Sequence, residues 1–170
     1  MIGPVSKGGL WIAAATMVMG AAPAQAAMSC WNDTQVAAAK VRDLQSRLMV
    51  ATLRCRAAGI EILDVYNEFI RTNRATIQAA NGMILAQFVT GYGEEAQTHY
   101  DRFATSLANA YGADSTDEEV CGEAAAAALE AVAAEGDPRR LVEIEERLGP
   151  PPELPGGQCP LSFDRAALAE

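Results

Sequence analysis

Few side chains in this sequence could do chemistry, and His99 comes first because it is the single histidine. Imidazole is the side chain that most readily moves protons near neutral pH. On a helix, Glu95 stands one turn before it and Arg102 about one turn after, so a Glu95–His99 pair is available on one face. The same pair beside Tyr100, an inward-facing position, is also an ordinary contact at the boundary of a core. With Tyr100 and Tyr66, these residues mark a binding space between helices for a small ligand or a metal. A second use of His99 is as the general base of a hydrolase or lyase.

The four cysteines, Cys30, Cys55, Cys121 and Cys159, carry the other chemistry. No two of them have C-x2-C spacing, and one histidine is too few to complete an ordinary zinc set. The lack of C-x-x-C-H and C-x-x-C removes covalent haem and thiol oxidoreductase motifs. A carboxylate-bridged metal pair in a four-helix bundle needs Glu-x-x-His twice, whereas Glu95 lies four residues before the one histidine. Met49 and Met83 fall at apolar helical positions, where filling a core is the usual role. No phosphate loop, nucleophile elbow or Ser/His/Asp order is present. No catalytic residue, cofactor or metal is therefore assigned.

The compartment decides how the cysteines are read. Lys7 precedes an uncharged apolar run from Leu10 to Ala22, followed by Pro23-Ala24-Gln25-Ala26-Ala27. Ala24 and Ala26 fit a small-residue cleavage site, which places a signal peptide at 1–26 and a cut after Ala26. The apolar run falls short of the about 20 residues a membrane-spanning helix requires. Lipid attachment at Cys30 is the alternative, and the preceding Ala27-Met28-Ser29 is a poor match for it. No later segment is long and apolar enough to span a bilayer, so the mature chain is expected to have no transmembrane helix. An exported chain enters an oxidising compartment, where two disulfides are the default for four cysteines.

The formal charge of −9 is unevenly placed. From Cys30 to Tyr111, eight basic residues balance eight acidic ones, whereas from Gly112 onward four arginines face fourteen acids. An acidic half of this size disfavours nucleic acid and anionic lipid as partners.

The elements that must position these residues are helices, because no stretch alternates with period two over a strand's length. The first is expected over Asp33–Ala58, capped by Asn32 or Asp33, with Ala37, Val41, Leu44, Leu48, Ala51 and Cys55 on one seam. The second begins near Ile60, carries Asn73 as a polar intruder, weakens at Asn81-Gly82 and ends at Gly91-Tyr92-Gly93. The third starts at Glu94-Glu95, buries Ala96, Tyr100, Phe103, Leu107 and Ala110, and stops at Gly112. Overlapping capping boxes, Ser115 with Glu118 and Thr116 with Glu119, open a fourth, whose seam Cys121, Ala125, Ala128 and Val132 is small enough for close packing. Asp137-Pro138 opens a short fifth with Leu141, Ile144 and Leu148 inward. The polar stretch Asp64, Asn67, Glu68, Arg71, Asn73 and Arg74 reads as a solvated face or, more sharply, as a surface for a protein or envelope component.

The resulting expectation is an all-α, up-and-down bundle of four main helices plus a short fifth over 27–149, with a Pro/Gly-rich segment, 150–170, stapled by Cys159. A continuous first helix separates Cys30 from Cys55 by about 37 Å, far beyond the about 7 Å limit between α-carbons in a disulfide. In an up-and-down arrangement the end of the first helix meets the start of the fourth, which favours Cys55 with Cys121 and leaves Cys30 with Cys159. Functionally the residues favour a periplasmic or secreted, non-enzymatic protein that acts by binding in the bacterial cell envelope.

Overall fold

The computed structural model describes residues 28–113 and 116–160. The expected signal peptide, the Ser115 capping box and the tail after Pro160 lie outside the described residues. Six α-helices follow in order: α1 (Asp33–Ala57), α2 (Leu63–Thr72), α3 (Arg74–Tyr92), α4 (Ala96–Gly112), α5 (Glu118–Ala133) and α6 (Pro138–Leu148), with a 3-10 turn, Gly93–Glu95, between α3 and α4. The architecture is the all-α, disulfide-linked bundle expected from the sequence, and α1 is its axis, touching all five of the other α-helices.

Local chemistry explains where α1 begins. The Asn32 side chain accepts from the Gln35 amide at 3.0 Å and the Gln35 side chain accepts from the Asn32 amide at 2.9 Å, so two amides without a helical partner are satisfied reciprocally. Of its expected seam, Val41, Leu44, Leu48 and Cys55 are buried, while Ala37 and Ala51 are partly covered.

The expected second helix is divided, and not at Asn81-Gly82. Gly82 lies inside α3, and the break falls at Asn73. This fully buried side chain donates to the carbonyls of Phe69 at 3.0 Å and Ala131 at 2.8 Å and accepts from the Gly136 amide at 2.8 Å. Asn73 thereby ties the α2–α3 junction to the end of α5. A buried amide is retained where all of its partners are in place.

At α5 the capping residue is Asp117, whose carboxylate accepts from the Val120 amide at 2.9 Å, in place of the expected Thr116 box. The buried face also differs from the expected seam. Cys121, Ala127, Ala128 and Ala131 are enclosed, while Ala125 and Val132 stand at the edge. α5 packs against α2, α1 and α6, so the face it encloses is wider than a single seam.

Trp31 closes one end of the core. Its indole is fully buried, donates to the Pro155 carbonyl at 2.7 Å, and lies 5.9 Å and 5.8 Å from the rings of Phe88 and Phe103. The segment after α6 reaches it by a single parallel bridge: the Trp31 amide donates to Gly157 at 2.9 Å and the Cys159 amide to Trp31 at 2.8 Å. Gly156 is required there, because its φ is +84° and a Cβ would stand 2.8 Å from the Met28 carbonyl oxygen.

The disulfides are Cys30–Cys159, with α-carbons 4.8 Å apart, and Cys55–Cys121, at 5.7 Å. The first joins the two ends of the described chain, and the second joins the end of α1 to the first turn of α5. Among the described residues no helix is long and apolar enough to cross a membrane.

Candidate functional site

His99 stands on the first turn of α4 with its ring flat against Tyr92, the centroids 3.5 Å apart and the planes 4° from parallel. Its Nε2 is 3.7 Å from a Glu95 carboxylate oxygen, beyond hydrogen-bonding distance, and the Glu95 side chain is 81 % exposed. His99 and Arg102 border one cavity of about 370 Å3 with Ser106 and Glu153. Tyr100 and Tyr66 do not line it. Tyr100 meets Phe88 edge-on at 6.4 Å, and Tyr66 packs against Phe69 at 6.2 Å. Burial raises the Tyr66 phenol above its ordinary range, opposed by Arg42 and Gln45 of α1. On the α2 face, Glu68 and Arg71 form an exposed ion pair.

A second cluster, absent from the sequence expectations, is built on α1 and α6. Asp43 and Glu145 are both fully buried. The Tyr111 hydroxyl at the end of α4 donates to Asp43 Oδ2 at 2.5 Å, and Arg47 approaches the same oxygen to 3.9 Å. Arg47 also donates to Tyr111 Oη at 3.1 Å and to the Leu148 carbonyl, with its guanidinium 4.4 Å above the Tyr111 ring. Neither oxygen of Glu145, nor Oδ1 of Asp43, nor the Ser46 hydroxyl has a partner from another hydrogen-bond donor.

Those orphan oxygens are intelligible if the two acids share a proton. Burial pushes Glu145 up to about 7, and the neighbouring Asp43 charge and hydrogen bond push in the same direction against Lys40 and Arg47. Burial raises Asp43 as well, but its bonds to Tyr111 and Glu145 and the charge of Arg47 hold it back. Both acids are thus pushed toward the neutral form, Asp43 less so because it faces Tyr111 and Arg47 on its other side. Burial, followed by the bond to Asp43, keeps the Tyr111 phenol protonated well above its ordinary range. Enclosed in this way, Asp43 holds the Tyr111 hydroxyl and stands beside Arg47.

The positions of these residues held a readable signal. Glu145 lies four residues after Leu141 and three before Leu148, on the inner face of α6, and Asp43 lies four after buried Ala39. Treating charged residues at such positions as solvated hides them.

On the far side of Arg47 and Tyr111, a cavity of about 360 Å3 opens between α1 and α5, with Arg54 and Glu123 also on its walls. Among the described residues, no three His, Cys, Asp or Glu side chains converge as a metal site would require.

The fold and site define a class: a doubly disulfide-linked helical bundle around a buried carboxyl pair. Compared with protein-family models, curated proteins and solved structures, the chain matches none.

Proposed function

We propose that this chain is an exported protein of the bacterial cell envelope, periplasmic or secreted, that acts by binding and not by catalysis. The observation that carries the reading is the pair of disulfides. Both join elements remote in sequence, and together they use all four cysteines. Such bonds persist in oxidising compartments and are rare in the cytosol. The signal peptide at 1–26, with cleavage after Ala26, supplies the route.

Binding is favoured over catalysis by the state of the groups that could react. His99 is stacked on Tyr92, and its carboxylate neighbour is solvated and out of hydrogen-bonding range. The strongest polar constellation is enclosed and used internally. The open features are cavities between helices, which suit ligands or partner segments.

Export is tested by fusing the whole chain upstream of an alkaline phosphatase that becomes active only after leaving the cytosol. An active fusion, made inactive by deleting residues 1–26, is the expected result. Phosphatase activity that is absent, or unchanged by the deletion, overturns the assignment.

A further inference from the structure

The cavity between α1 and α5 has a composition of its own. Its volume of about 360 Å3 lies in the lower part of the range for small-molecule sites, about 300–1,000 Å3. Leu48 and Ala51 of α1, Val120 and Ala124 of α5, and Leu148 at the end of α6 give it apolar walls. Arg47 and Arg54, two turns apart on α1, bring two guanidinium groups to the same space.

Both cations are held in place before any ligand arrives, and Tyr111 holds each of them. Arg47 is fixed by the Tyr111 hydroxyl and ring and by the Leu148 carbonyl, yet its Nε has no partner. Arg54 donates to the Tyr111 carbonyl at 2.6 Å and joins no ion pair among the described residues. Asp43 offsets Arg47 from behind, and among the described residues Glu123 is the one acid on the cavity wall. Among the described residues, two guanidinium groups and one carboxylate therefore line the cavity.

The geometry points to a binding site for a small amphipathic monocarboxylate, its carboxylate between Arg47 and Arg54 and its aliphatic tail along Leu48, Val120 and Leu148. Guanidinium groups pair with a planar carboxylate through charge-assisted hydrogen bonds. The apolar walls disfavour a fully hydrated inorganic anion and reward a hydrocarbon tail. This inference rests on the reading of the protein as a binder and adds the ligand class.

Isothermal titration calorimetry of the oxidised, signal-free chain at neutral pH tests it with octanoate, octanol and octylamine. Octanoate is expected to bind saturably and at least about tenfold more tightly than octanol, a difference of about 1.4 kcal/mol. Octylamine is expected not to bind. Arg54→Ala is expected to weaken octanoate by about tenfold or more, and Glu123→Gln, at an exposed position, to tighten it severalfold. No saturable octanoate heat, equal affinity for octanol, or affinity unmoved in both variants overturns the site. Failure here with an active phosphatase fusion removes the ligand class and leaves the envelope reading standing. Octanoate binding with an inactive fusion does the reverse.

Discussion

The free energy of unfolding is expected to fall by about 3 kcal/mol between pH of about 5 and about 8 through Glu145 alone, and Glu145→Gln is expected to remove that part of the fall. The sign follows from the direction of the shift. Glu145 titrates near 4.5 in an unfolded chain and is pushed up to about 7 in the folded one by burial and the neighbouring Asp43. Below the lower value both states are protonated and no penalty exists. Between the two values the unfolded chain releases a proton that the folded chain retains, so stability declines with rising pH, and above about 7 the loss levels off. Asp43, also raised, acts in the same direction.

The overall charge of −9 makes the protein self-repelling at high pH as well, so the informative quantity is the difference between wild type and variant. Urea unfolding at the two pH values measures it. Glu145→Gln should be more stable than wild type by about 2–3 kcal/mol at the higher pH and close to it at the lower. Parallel pH profiles for the two proteins would show that the pair holds no proton.

The second large effect is at Cys55–Cys121. Replacing both with alanine is expected to lower stability by about 4 kcal/mol, because the bond closes a segment with a sequence separation of 66 and removes that freedom from the unfolded chain. The loss is a large part of the about 5–15 kcal/mol that holds a domain of this kind together. Both half-cystines are buried, at 0 % and 1 % exposure, so alanine avoids leaving unpaired hydroxyls in the core. Denaturant titration of the double variant with Cys30–Cys159 intact reads the effect. An unchanged midpoint would mean that packing of α1, α2 and α5 suffices without the link.

The features legible in the sequence were those set by local rules. The Asn32 cap, the Asp137-Pro138 start of α6, and the glycine ends of α3 and α4 depend on neighbours in the chain. The cysteine pairing was also accessible, since helix length excluded one partner and alternating helix direction selected between the others. Features set by distant contacts were not. Glycine propensity pointed to Gly82 for a helix break, but the break sits where Asn73 finds Ala131 and Gly136, more than fifty residues away. The buried acids escaped because a charge is assumed to face water unless a partner is known; Arg47 stands one turn from Asp43 on α1, but Tyr111 becomes the partner of Asp43 only in the fold.

Export into an oxidising compartment with both disulfides formed is the claim on which the functional account stands, and the intact mass of the protein from its native compartment tests it most directly. Measured before and after reduction and alkylation, the chain is expected to begin at Ala27 and to take up alkylating reagent at four cysteines only after reduction. A chain that retains residues 1–26, or whose cysteines are alkylated without reduction, would contradict it.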